Sequence, residues 1–227
     1  INSICEEYGV ILIEDTCESV GSLYGEKKLG SFGLANSFSF YYGHHLSTIE
    51  GGMVSTDDTE FYNILKSIRS HGWDRDLDES TQRKLRRENN IDEFRALYSF
   101  YYPGFNLRAT DLQAFIGQNQ LLKLDDMIEE RRKNFLLFEE KLENDFWRIS
   151  VPDNVMVSSM AYPIITTKID NVVAALRKNN IETRPLICGS IGEQPFWIQR
   201  YGETKFEMSS LIHQYGLYVP NNHELTE

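Results

Sequence analysis

The run Val10-Ile11-Leu12-Ile13, closed at once by Glu14-Asp15, constrains the fold more than any other stretch of this chain. Consecutive apolar residues leave no polar face, so the segment reads as a strand buried on both sides of a parallel sheet. An acid at the carboxyl end of such a strand stands where open α/β sheets take their ligands. Asp15 could there hold a positive charge on a ligand, such as a protonated ring nitrogen, or could serve as a helix cap or turn residue. Glu18 would come near Asp15 if the chain turned helical after it, or could act as a capping partner.

The pattern continues as alternating strand and helix. Ser37 to Tyr41 alternates as a second strand and Gly52 to Ser55 forms a short third. Asp57 to Glu60 offers an N-cap with an acid in the first turn, ahead of Phe61, Ile64, Leu65 and Ile68 at helical spacing. Thr110 to Gln113 is a capping box opening a helical stretch to about Leu142, with Asp125-Asp126 as a break and new cap. Residues 74–95, dense in charges of both signs, read as a solvated face or insertion. Pro103-Gly104 marks a turn in an aromatic segment. After Pro152 the spacing predicts a strand over 161–167, a helix over 170–179 and a strand over 181–187. The expected organisation is an α/β protein with one part over 1–145 and a smaller domain over 146–227. The last residues, Tyr218 to Glu227, read as the run-up to a helix, and the chain does not begin with Met, so cropping at both ends is expected.

Composition removes whole classes of function. With 23 basic and 34 acidic residues the net charge is −11, which repels a phosphate backbone and argues against a nucleic-acid partner. No apolar run approaches the roughly 18–20 residues of a membrane span, so no membrane association is expected. The cysteines Cys5, Cys17 and Cys188 are too few and too scattered for a disulfide framework or a thiolate metal site, which points to a reducing compartment, the cytoplasm, and to no bound metal.

Chemistry concentrates in Ser39-Phe40-Tyr41-Tyr42-Gly43-His44-His45-Leu46-Ser47-Thr48-Ile49-Glu50-Gly51-Gly52. Hydroxyls and glycines in a turn suit a phosphate, and an imidazole suits proton transfer near neutral pH. The paired histidines could equally be one buried ring and one solvated ring. Adjacent side chains on an extended chain point apart, so a shared metal is awkward.

Three segments together resemble one family. Ile13-Glu14-Asp15-Thr16-Cys17-Glu18-Ser19-Val20-Gly21 resembles the E-D-x-x-[QE]-x-x-G signature of the DegT/DnrJ/EryC1/StrS pyridoxal-phosphate sugar enzymes. Phe38 to Gly52 resembles their S-F-x-x-x-K-x-x-x-x-x-E-G-G segment, and Gly104 to Ala114 their G-[YF]-N-x-R-x-[ST]-[DE]-x-Q-A segment. The resemblance implies a type I aminotransferase fold: a three-layer α/β/α large domain, of which 1–145 would be the C-terminal part, and a small C-terminal α/β domain over 146–227. It also implies that the N-terminal part and the last helix of the family lie outside this sequence. By the same resemblance the cofactor is pyridoxal or pyridoxamine 5′-phosphate. Asp15 would pair with its ring nitrogen, Glu18 would sit beside its ring hydroxyl, and Ser39 would bind its phosphate. Asn106 would reach the phosphate of a neighbouring subunit, which implies a homodimer with shared active sites.

The sequence departs from the family at one telling place. Where the aminotransferases carry the Schiff-base lysine, this chain has His44, and no lysine falls between Lys28 and Lys66. Histidine there, the His44-His45 pair, and Thr183-Arg184-Pro185-Leu186 through Gly189 to Gln194-Pro195 resemble the sugar 3-dehydratase branch, with Ser190 where Asn is usual. That branch implies deoxygenation at C3 of a nucleotide-linked 4-keto-6-deoxyhexose, with His44 as acid and base. No cysteine lies between Ser70-His71-Gly72-Trp73 and Cys188, so an iron–sulfur cluster, which needs about four thiolates, is not expected. An amino acid such as glutamate would instead recharge the cofactor. The alternatives are a nucleotide-sugar aminotransferase and a non-catalytic relative that binds a nucleotide sugar.

Overall fold

A computed structural model describes residues 1–142, 146–147 and 150–225. Its first half runs α1 (Asn2–Tyr8), β1 (Ile13–Asp15), β2 (Leu23–Tyr24), β3 (Lys27–Lys28), β4 (Ala35–Ser39), β5 (Gly52–Ser55), α2 (Thr59–Ile68), α3 (Glu79–Glu88), α4 (Glu93–Ala96) and α5 (Asp111–Leu121). Its second half runs α6 (Leu124–Lys141), β6 (Val155–Met156), β7 (Ala161–Ile165), α7 (Ile169–Lys178), β8 (Arg184–Pro185), α8 (Pro195–Tyr201), α9 (Glu207–Tyr215) and β9 (Gly216–Pro220). The chain forms two compact units, one of residues 1–17 and 30–122, the other of residues 18–29 and 123–227. The dividing line expected at 145 falls on a residue outside the described ones.

In the first unit β1 pairs parallel with β4, and β4 pairs antiparallel with β5. In the sheet order β1-β4-β5, among the described residues, β1 has one neighbour, β4. Residues 10–13 read as a strand covered on both faces; in this chain by itself the strand begins only at Ile13, and Ile11 and Ile13 are 70% and 61% exposed. The second strand lies two residues earlier than the alternation suggested, at 35–39, and the third falls where expected. Asp58, not Asp57, caps α2, accepting from Phe61 N–H at 2.7 Å.

The capping box at Thr110 and Gln113 is present, both halves of it, and opens α5. The helical stretch then breaks at Leu122-Lys123, so Asp125 and Asp126 occupy the first turn of α6 and cap nothing. There they face the positive end of the helix dipole. Residues 74–95 fold into α3 and α4, each begun by an aspartate cap, and Asp74 is fully buried.

The second unit packs α6 and α7 on a sheet of order β7-β9-β8, with both neighbours antiparallel to β9. Phe135, Tyr162, Ile164, Leu217 and Val219 form its buried core, with Phe138 stacked on Tyr162 at 4.9 Å. The strand expected over 181–187 shrinks to two residues, and Tyr218 to Pro220, read as a lead into a helix, belong to the central strand. Pro163 and Pro185 lie on the two edge strands, where a missing N–H breaks no ladder. The small hairpin β2–β3 joins β6 in a separate sheet, which places Lys27 and Lys28 on a strand, not in an open loop.

Candidate active site

Alternation along β1 divides its two acids between opposite faces. Glu14 turns to the loop 30–33, accepting from Gly30, Phe32 and Gly33 N–H at 2.7, 2.6 and 2.8 Å. Asp15 turns the other way and is exposed. No helix follows it: residues 16–21 form turns, and the Asp15 carboxylate accepts from Cys17 N–H at 3.2 Å. The Ser37 hydroxyl, opposite Asp15 in the parallel register, donates to it at 3.2 Å. The Cys17 thiol, its backbone N–H and the Ser37 hydroxyl hold the carboxyl below its ordinary range. Asp15 is therefore an exposed, fixed anion at the end of a parallel strand.

Ser39 lies two residues beyond Ser37, on the same face of β4. Its hydroxyl accepts from Tyr41 N–H at 3.3 Å, turning the chain out of the strand. The loop 41–51 that follows carries His44, half-buried, with its ring edge-on to Tyr41 at 5.6 Å between centroids. His45 beside it is 1% exposed, so one imidazole anchors the loop and the other is left partly open. Backbone bonds from Phe40 N–H to Gly51 O (2.9 Å) and from Thr48 N–H to Phe40 O (2.8 Å) close the loop at its base.

Asn106 is set by a second close-packed turn in the same unit. His71 N–H donates to Phe105 O at 2.7 Å, Leu107 N–H to Arg69 O at 2.8 Å, and Ser70 bridges Asn106. A Cβ on Gly72 would stand 1.8 Å from Tyr102 O, and one on Gly104 2.3 Å from Gly72 N, so glycine at both places lets the two backbones meet. The Arg108 guanidinium donates to the Asn106 side chain at 3.4 Å. Asp74, 0% exposed, ties this turn to α3 through Arg86 at 2.7 Å and to Tyr101 OH at 3.4 Å.

Asp15, Ser39, His44 and Asn106 thus belong to one compact unit, with Asp15 and Ser39 on neighbouring strands. Glu18 opens the segment 18–29 of the other unit, where it lines an apolar cavity of about 400 Å³ with Phe135, Tyr162, Leu186 and Tyr218. Sequence reading passed over Ser37, although strand alternation places it on the face of Ser39. It also passed over Gln120, which grips the loop backbone from α5 and stands two helical turns from Gln113. The donor set suits a phosphorylated, protonated pyridine: a fixed carboxylate for the ring nitrogen, a hydroxyl for the phosphate, and an imidazole in place of an amine. Among the described residues Cys5, Cys17 and Cys188 form no disulfide, and no helix is long and apolar enough to cross a membrane.

Comparison with known proteins places the chain in one family. The profile of the DegT/DnrJ/EryC1/StrS aminotransferase family matches residues 1–227. A GDP-4-keto-6-deoxy-D-mannose 3-dehydratase of Escherichia coli O55:H7 is 33% identical over 230 residues, covering 98% of this chain and 59% of the relative. The solved structure of the E. coli GDP-4-keto-6-deoxy-D-mannose 3-dehydratase with bound hydrated PLP superposes with a TM-score of 0.84 at 31% identity, covering 98% of this chain and 59% of that one. A further structure of a GDP-4-keto-6-deoxymannose 3-dehydratase, with a trapped PLP–glutamate geminal diamine, matches with the same score, identity and coverage. The chain spans about three fifths of the length of these relatives. It belongs to the DegT/DnrJ/EryC1/StrS aminotransferase family and has the mixed α/β, type I aminotransferase fold of that family.

Proposed function

We propose that the protein containing this chain is a vitamin B6-dependent nucleotide-sugar 3-dehydratase, removing the C3 hydroxyl of a nucleotide-linked 4-keto-6-deoxyhexose. The observation that carries this reading is His44 in the loop after β4, in the place of the family's Schiff-base lysine, while Asp15 keeps its fixed anionic carboxylate. The likeness to GDP-4-keto-6-deoxymannose 3-dehydratases favours a GDP-linked sugar, and the glutamate-bound relative favours glutamate as amine donor.

When bound, pyridoxamine 5′-phosphate supplies an amine for the sugar's C4 ketone and a ring that withdraws electrons. Asp15 would keep the proton on the ring nitrogen, and the positive charge held there is what makes the ring withdrawing. Ser39 takes the phosphate, Glu18 the ring hydroxyl, and Asn106 the phosphate in a second subunit, so the working form is a homodimer. His44 would serve as base toward the cofactor's C4′ carbon and as acid toward the departing C3 hydroxyl, which would leave as water. An imidazole carries out both transfers near neutral pH, and it cannot tether the cofactor as lysine does. In this reading residues 1–145 contribute to the cofactor-binding large domain and 146–227 to the small domain, in an enzyme of the cytoplasm.

The test is product analysis. The full-length parent protein is incubated with pyridoxal phosphate, glutamate and GDP-4-keto-6-deoxymannose. A 3-deoxy sugar with ammonia release supports the reading. A 4-amino sugar would make the protein an aminotransferase, and no conversion with retained sugar binding would make it a non-catalytic relative.

A further inference from the structure

We infer that Gln113, Gly117 and Gln120, one face of α5, position His44 by gripping the backbone of its loop; the inference rests on the reading of His44 as acid and base. Spacings of four and three residues bring the three onto one stripe of the helix. The Gln120 amide holds Ser47 at both ends: its oxygen accepts from Ser47 N–H at 2.9 Å, and its nitrogen donates to Ser47 O. Seven residues back, Gln113 donates to Glu50 O at 2.6 Å while its oxygen completes the cap on Thr110. Between them Gly117 has no Cβ, and one added there would stand 3.1 Å from the Thr48 methyl. The stripe therefore reads main-chain groups and the empty space over a glycine.

The loop needs such a grip. Its far limb carries Ile49 at φ 71, a left-handed conformation unfavourable for a β-branched residue. Thr48 Oγ1 to Glu50 O (2.9 Å) and Ile49 N–H to Ser47 Oγ (3.1 Å) shape the limb from within, but neither bond leaves the loop. The glutamines supply the external reference, three and six residues past His44. His45, Leu46 and Thr48 are buried between, so a shift of the limb passes to His44 through packed groups. These residues touch no reacting atom; they act through the loop.

The experiment compares the full-length parent with Gln120→Leu and Gly117→Ala. Three readouts are taken: hydrogen exchange of residues 44–50, the ring resonances of the histidines, and kcat against KM for sugar deoxygenation. In Gln120→Leu, exchange over 44–50 should quicken about tenfold, the worth of one or two backbone hydrogen bonds. The His44 ring signal should move while those of His213 and His223 stay, and kcat should fall about tenfold with KM unchanged. Gly117→Ala guards against a folding artefact: alanine is the better helix residue, so Tm should hold or rise while the His44 signal moves and kcat falls. An unmoved His44 signal in both variants, or unchanged kcat with a displaced loop, overturns the inference. If the parent deoxygenates no sugar, the functional reading falls, and the ring signal and exchange still decide whether the stripe sets His44.

Discussion

Ser37 Oγ donates to Asp15 Oδ1 at 3.2 Å across two parallel strands, at the register point where the residues stand opposite each other. The bond spends the hydroxyl on orienting a carboxylate that Cys17 also holds from behind. A carboxylate so fixed needs no rearrangement to meet a cation. Asp15→Asn keeps the shape and removes the charge, so affinity for pyridoxal phosphate should weaken by about tenfold to a hundredfold, the worth of a charge-assisted hydrogen bond. Ser37→Ala should cost less than about tenfold, because Cys17 remains. Fluorescence titration of both variants checks this; equal affinity in parent and Asp15→Asn would remove Asp15 from the cofactor site.

The same bonds fix the sign of a pH effect. They depress the Asp15 pKa below 3.8, its ordinary value. A depressed carboxyl contributes fully above its unfolded pKa and loses that contribution as pH falls through its folded value. Cofactor affinity, as far as it depends on Asp15, should therefore be level from neutral pH down to about pH 5 and fall only below about pH 4. Affinity that drops between pH 5 and 7 would point to a different group.

His44→Asn removes the proton carrier and keeps a polar side chain of similar reach. Deoxygenation should slow by about 10²–10⁴-fold, the usual contribution of a general acid–base. Pyridoxal phosphate should still bind, because Asp15 and Ser39 remain. Retained deoxygenation in this variant would strip His44 of its assigned role.

The charge-dense segment 74–95 shows where sequence reading stops. Its surface was legible: Asp78 and Asp92 cap helices whose outer faces are solvated. Its interior was not, because nothing in the order Asp74-Arg75-Asp76 says which acid turns inward. Only the folded chain brings Arg86 to 2.7 Å of Asp74 and leaves Asp74 0% exposed. Asp74→Ala would leave the half-covered Arg86 without its carboxylate and should destabilise the protein by about 3 kcal/mol, measured by urea unfolding. A loss below about 0.5 kcal/mol, as for a surface pair, would contradict the burial.

The same limit explains the other differences. The strand end at Asp15 and the capping box of α5 were legible because strand ends and helix caps are local devices with local signatures. Edge position is not local. The apolar run at 10–13 names no partner, and only the sheet order of the described residues shows β1 beside β4. Likewise Gly216 to Pro220, closed by a proline, lacks a strand's usual ending, yet pairing on both sides makes it the central strand of its sheet. The grip of Gln120 on Ser47 spans 73 positions of chain and could not be read from spacing.

The turn that sets Asn106 supplies the last prediction. Gly72 has φ 87, and a Cβ there would meet Tyr102 O at 1.8 Å. Gly25 has φ 61 with nothing within 4 Å of an added Cβ. Alanine at either position meets the left-handed penalty of about 1–2 kcal/mol, since both backbones lie in the same region. At Gly72 the backbone of Tyr102 must also move, and the segment to Asn106 moves with it, because His71 N–H is bonded to Phe105 O. Gly72→Ala should therefore destabilise by at least about 2 kcal/mol more than Gly25→Ala. It should also weaken cofactor binding, which Gly25→Ala should leave intact. Equal unfolding midpoints and equal cofactor affinity for the two variants would show that the close backbone approach does not hold Asn106 in place.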